Sequence, residues 1–214
     1  MTSDHFHPWW HDNAYGNFAW VWIAAAAERT KQMQFVTGVT APIFRYHQAF
    51  ASLDILYPGR IGLGLGTGEL MNETPLGFDW PRPKVRLKRV IEVVQIISKL
   101  WQQKTNTDDN NDNTADDSKR TSNHDDSEAP EDDNGFVYFN GEYFLIRNAK
   151  LYSPPTSNIP IYMAAAGPES TKASAKYSDG LITFLKAKES QRILDLFDKT
   201  VRKYSEQDYN NNRN

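Results

Sequence analysis

The chain has 214 residues, a formal charge of −3, 39% apolar and 13% aromatic side chains, and no cysteine. That length supports one domain with its own core, and the absent cysteines exclude disulfides, thiolate metal sites and cysteine nucleophiles. No apolar run approaches the roughly 20 residues that span a bilayer, and Met1 to His5 lacks the basic and apolar regions of a secretion signal, so a cytoplasmic protein is expected, with no membrane contact.

Residues 1–15 are dense in His, Trp, Asp and Asn, and fit neither a helix nor an amphipathic strand. Asn17 to Arg29 reads as a helix with an alanine run supplying propensity. It is apolar nearly all round, so burial on most faces is expected. Met33 to Val39 reads as a strand, and Gln48 to Leu56 as a short helix closed by Tyr57-Pro58-Gly59. Arg60 to Gly66 is a second strand whose glycines permit close backbone approach.

Lys84 to Trp101 gives the clearest helix. Leu87, Val90, Ile91, Val94, Ile97 and Leu100 recur at three-to-four spacing, with the basic residues largely opposite. Residues 104–135 then hold 11 of the 27 acidic residues and only 3 of the 24 basic ones. This stretch has little to bury, so a disordered acidic insertion is expected, dividing one domain into segments 1–103 and 136–209. The rest of the chain is mildly basic, which suits an anionic ligand and is too weak for nucleic acid.

Phe136 to Ile146 carries a hairpin signal, Asn140-Gly141 between two aromatic runs. Ile159 to Ala164 is a strand, Pro168 to Tyr177 a helix opened by proline, Gly180 to Phe184 a strand, and Lys188 to Ser205 an amphipathic helix. Strands alternating with helices predict a parallel α/β sheet or a β/α barrel, with about four parallel strands countable.

Three clusters could carry chemistry. Ser3-Asp4-His5-Phe6-His7-Pro8-Trp9-Trp10-His11 sets imidazoles and a carboxylate beside aromatics, which suits a proton shuttle at a planar ligand. His5-Phe6-His7 also has the form of a zinc pair at a strand end, although further ligands are scarce and no metal is expected. Gly62 to Glu69 places glycines at a strand end and then a glutamate, without the lysine of a phosphate loop. Ala164 to Pro168 sets small residues where a strand enters a helix, a place where anions can bind.

In combination these clusters, with Phe44-Arg45-Tyr46, Leu56-Tyr57-Pro58-Gly59-Arg60 and Gly66-Thr67-Gly68-Glu69 followed by Asn72-Glu73, resemble the F420-dependent dehydrogenases of the luciferase-like superfamily. The resemblance runs from residue 2 to about 185. It implies a TIM-type (β/α)8 barrel, here incomplete, lacking its first and last strands. It implies coenzyme F420 at the C-terminal ends of the strands and hydride exchange with an alcohol carbon.

By the same resemblance His5 is an acid/base, Glu69 its partner acid/base and Trp9 a stacking residue that steadies charge. Asp4, Thr67, Gly68, Asn72, Ala166 and Gly167 line the cofactor. Gly38-Val39 falls where the family has a non-proline cis peptide behind the ring. Phe184 and Ala41 stand where the sugar-phosphate enzymes place threonines, so a small or apolar alcohol is the expected substrate. A homodimer is expected by the same route. The alternatives are an FMN-dependent monooxygenase of the same superfamily and a non-catalytic fragment.

Overall fold

A computed structural model describes residues 1–6, 8, 16, 18–41, 46–102 and 135–211. Four parallel strands form its centre: β1 (Phe35–Val36), β2 (Ile61–Leu65), β5 (Ile161–Ala164) and β6 (Gly180–Ile182), adjacent in that order. The helices before, between and after them are α1 (Ala19–Glu28), α2 (Tyr46–Leu56), α3 (Leu70–Glu73), α4 (Pro83–Trp101), α5 (Pro168–Tyr177) and α6 (Ala187–Asn211). A short antiparallel pair, β3 (Val137–Asn140) and β4 (Leu145–Ala149), stands apart from the sheet. The segments on either side of the acidic run thus share one sheet, through β2 and β5. The run expected to be disordered lies outside the described residues, save for Gly135.

Strand β2 is buried at every position, as a central parallel strand covered on both faces must be. Its side chains Leu63 and Leu65 meet Phe50, Val90, Val94 and Met163 in the main core. Gly64 of β2 and Gly66 just after it make room for the segment that follows β1: a Cβ on Gly64 would collide with the Thr37 carbonyl, and one on Gly66 with the Val39 side chain. Among the described residues no helix is long and apolar enough to cross a membrane.

Several expectations need adjustment. The strand expected over 33–39 is regular only at Phe35–Val36. The Thr37 hydroxyl, fully buried, donates to the Gly64 carbonyl (3.0 Å) and accepts its N–H (2.9 Å), replacing the ladder with a side chain. Pairing resumes at Thr40, which bridges to Leu65. The hairpin is present, but its loop runs over 141–144 rather than turning at Asn140-Gly141. Glu92 of α4 accepts the backbone N–H groups of Glu142, Tyr143 and Phe144 and so shapes the wider loop.

Helix α1 is not buried on most faces. Trp20, Ile23 and Ala27 are inside, while Val21 and Trp22 are 65% and 56% exposed. A helix apolar all round cannot show by pattern which stripe meets the sheet. The one-turn α3 and the 3₁₀ turn after it (Thr74–Leu76) were not expected, being too short to show a period.

Candidate active site

The site stands where the parallel strands end. Thr2 pairs alongside β1, its N–H donating to the Val36 carbonyl (3.0 Å) and its carbonyl accepting from Gly38 (2.7 Å). The next residues therefore leave the sheet at its C-terminal edge, and Asp4 and His5 emerge beside the residues following β1 and β2. A cavity of about 800 Å3 opens there. Its walls come from the segment 3–6, from Gly38 to Ala41 after β1, from Gly66 to Glu73 after β2, from Ala164 at the end of β5, and from Phe184 after β6.

Asp4 is held by two hydroxyls. Thr40 donates to its Oδ2 at 2.5 Å and Tyr46 at 3.2 Å. Burial pushes the Tyr46 phenol well above its usual range; the Thr40 hydrogen bond opposes this and the Asp4 charge adds to it. Tyr46 is therefore a neutral donor across the physiological range, able to fix the carboxylate without competing for protons.

His5, Asn72 and Glu69 form a second group. Asn72 Nδ2 lies 3.2 Å from His5 Nδ1 and 3.2 Å from Glu69 Oε2. The direct separation of His5 Nδ1 and Glu69 Oε2 is 3.6 Å. The Asn72 NH2 can donate to both the imidazole and the carboxylate and so holds them side by side, while any proton passing between them crosses the direct 3.6 Å gap. Helix α3 makes this possible: Glu69 caps its start and Asn72 follows three residues on, on the same side of the turn.

Beside this group Gly68 is in the left-handed region (φ 81°). The Gly38–Val39 peptide is cis, at the position the resemblance gave. Asp4, His5, Gly38, Val39, Thr67, Gly68, Glu69 and Asn72 all line one cavity. Ala166 and Gly167 do not line it; their N–H groups point to the Ser170 hydroxyl, 3.3 Å from each, at the start of α5. Trp9 and His7 lie outside the described residues.

Three residues of the site were missed: Thr40 and Tyr46, which grip Asp4, and Glu73, which lines the cavity beside Gly68. Tyr46 and Glu73 stood inside the quoted motifs, so the signal was there without a role. Thr40 and Asp4 are 36 positions apart, and only the pairing of Thr2 with β1 brings them together.

The luciferase-like monooxygenase family profile matches residues 1–209. The chain belongs to the luciferase-like monooxygenase family. It is 37% identical over 188 residues to an F420-dependent glucose-6-phosphate dehydrogenase of Gordonia bronchialis, covering 85% of this chain and 46% of that one. The corresponding enzyme of Microbacterium testaceum is 33% identical over 86% of this chain and 47% of its own length. Among solved structures, an F420-dependent secondary alcohol dehydrogenase in complex with an F420-acetone adduct superposes with a TM-score of 0.75 at 33% identity, over 94% of this chain and 54% of that one. The luciferase-like chain thus spans about half the length of the curated relatives it matches, and its sheet and helices are part of a TIM-type β/α barrel.

Proposed function

We propose that this chain carries the catalytic face of an F420-dependent oxidoreductase that exchanges a hydride with an alcohol-type CH–OH substrate. The observation that carries this reading is the cavity at the strand ends, which is lined by the residues Gly38, Gly66 and Gly68 together with His5, Asn72 and Glu69. A flat ring needs a backbone wall. Gly38, Gly66 and Gly68 bring main chain to its edge, and about 800 Å3 accommodates a tricycle with a small substrate. Asp4, Val39, Thr67, Gly68 and Asn72 would hold the cofactor, with Ala166 and Gly167 further along the same rim. A bound deazaflavin supplies two-electron hydride chemistry.

The protein's part is then orientation and one proton. His5 Nε2 takes the substrate hydroxyl proton, as hydride leaves the carbon, from the tautomer whose Nδ1–H is turned to Glu69 Oε2, 3.6 Å away; while Nδ1 accepts from the Asn72 amide the neutral ring carries its proton on Nε2 and cannot act as the base. Glu69 holds the resulting imidazolium or receives charge from the ring side. Trp9 would complete the site as a stacking residue. The described lining holds no Lys or Arg, and Phe6, Phe18, Leu76, Phe78 and Phe184 gather at the mouth. An uncharged, apolar alcohol suits that mouth better than a phosphate ester, whose dianion would meet Asp4, Glu69 and Glu73 with no Lys or Arg among the described lining residues.

The test is binding. F420 and FMN are titrated separately into the purified chain, followed by fluorescence and melting. F420 is expected to bind and raise the melting temperature, and a secondary alcohol is then expected to reduce it. Binding of FMN alone would replace this reading with the monooxygenase one, and binding of neither would leave the chain without the proposed activity.

A further inference from the structure

Glu73 has no place in the chemistry above, yet its carboxylate is turned into the site. It lies against Gly68, where an added Cβ would sit 2.6 Å from its Oε1, on the side of the turn where the Glu69 backbone N–H favours its charged form. Gly68 is also in a backbone conformation that L side chains rarely adopt. Only glycine therefore lets this carboxylate close over the turn between β2 and α3. The same helical turn carries Asn72, which reaches both His5 and Glu69.

We propose that Glu73 is a positioning residue that braces the 66–69 turn and so holds the Glu69 carboxylate at His5; this rests on the acid/base role proposed for Glu69. The brace follows the logic of a helix-start glutamate reaching back to the cap N–H, and here the cap residue is itself the proposed acid/base. The arrangement is costly. Burial pushes the Glu73 carboxyl above its usual range and the nearby Glu69 charge pushes it further, while the Glu69 N–H opposes both. Tyr46 of α2 feels the charges of both Glu73 and Asp4, and Asp4 and His5 line the same cavity. Among the described lining residues there is no Lys or Arg to repay the burial. A glutamate kept in such surroundings marks a functional constraint more readily than a structural one.

Hydrogen exchange on the cofactor-free chain tests the brace directly. Glu73→Ala is expected to speed exchange of the Glu69 amide about tenfold or more, because the carboxylate packed over that turn is lost, with amides of β2 and α4 unchanged. Glu73→Gln, which keeps an acceptor oxygen, is expected to restore most of the protection. In wild type that protection should weaken, relative to neighbouring amides, as pH falls through the raised carboxyl range, and it should not do so in Glu73→Gln. In the loaded enzyme Glu73→Ala should lower kcat about tenfold with little change in KM for the alcohol. Unchanged exchange at Glu69 overturns the proposal whatever the activity. Faster exchange with full hydride transfer also overturns it, because the turn then needs no brace for catalysis. Faster exchange in a chain that transfers no hydride even as wild type supports the brace and overturns the proposed function instead.

Discussion

Asp54 and Glu73 are carboxylates placed at opposite ends of one sheet, and the protein treats them in opposite ways. Asp54 sits in α2 near the end where the strands begin and is fully buried. It accepts the N–H groups of Gly59 (3.2 Å), Thr156 (2.9 Å) and Ser157 (2.8 Å) and the hydroxyls of Thr156 and Ser157. Burial alone would raise its carboxyl, but hydrogen bonds from Ser157, Gly59 and Thr156 win and hold it below the usual range. Glu73, at the end where the strands finish, has its carboxyl moved upward by burial first, with the Glu69 charge adding to it and the Glu69 N–H opposing it. Burial raises both carboxyls, and the direction turns over only where enough donors offset it, as at Asp54. One end is satisfied and rigid, and the other is left under-satisfied where chemistry is proposed.

The largest expected effect lies at the satisfied end. Asp54→Ala orphans several donors at once, at roughly 1–3 kcal/mol for each that stays buried. The expected loss is about 3–5 kcal/mol, or roughly a 10 °C fall in melting temperature for a chain of this size. The same contact gives a pH signature. A carboxyl held low when folded stabilises above its unfolded pKa, about 3.9, and that stabilisation is lost as pH falls through the lower folded value. An acid melting series should therefore show wild type losing stability in that window, with a shallower loss in Asp54→Ala. A melting temperature unmoved by Asp54→Ala would remove the contrast between the two ends.

Next in size are the site residues. His5→Asn and Glu69→Gln should each cut hydride transfer by about 10²-fold or more, the usual cost of losing an acid/base, with melting unchanged. Turnover within about tenfold of wild type would put the proton elsewhere. Tyr46→Phe should come after these. It removes one of two hydroxyls on Asp4 and should weaken F420 binding about tenfold, near the low end of the roughly 1.5–3 kcal/mol for one hydrogen bond to a charged group, as read by fluorescence titration.

How far the sequence carried the reader follows the same division. Helix α4 was legible because nineteen residues repeat their apolar period five times. Proline openings marked α4 and α5, and the strands β2 and β5 were short apolar runs between turn signals. Much of the site was legible only through resemblance, since Asp4 and His5 are ordinary residues until Thr2 pairs with β1. The Asp54 latch left no mark, because Thr156 and Ser157 lie 102 and 103 positions away. The shortness of β1 was hidden for a related reason: a threonine that replaces a ladder hydrogen bond looks like any strand threonine. The exposed face of α1 was hidden because alanine and tryptophan on every side erase the amphipathic signal.

The smallest expected effect separates the two ends most sharply. A carboxyl held above its usual range binds its proton more tightly when folded, so ionised Glu73 subtracts from stability at neutral pH. Glu73→Gln removes that subtraction. Its melting temperature at pH 7 should stay level or rise slightly, and the difference from wild type should close below about pH 4, where the carboxyl is protonated in both states. Asp54→Asn, the same exchange of carboxylate for amide, should instead fall at pH 7 because an amide nitrogen then faces backbone donors. If both amide variants melted lower by similar amounts, Glu73 would be a second structural latch and the under-satisfied end would lose its functional meaning. If only Asp54→Asn fell, the chain would be keeping a destabilising carboxylate at the turn that carries Glu69, as a site shaped for chemistry rather than for stability does.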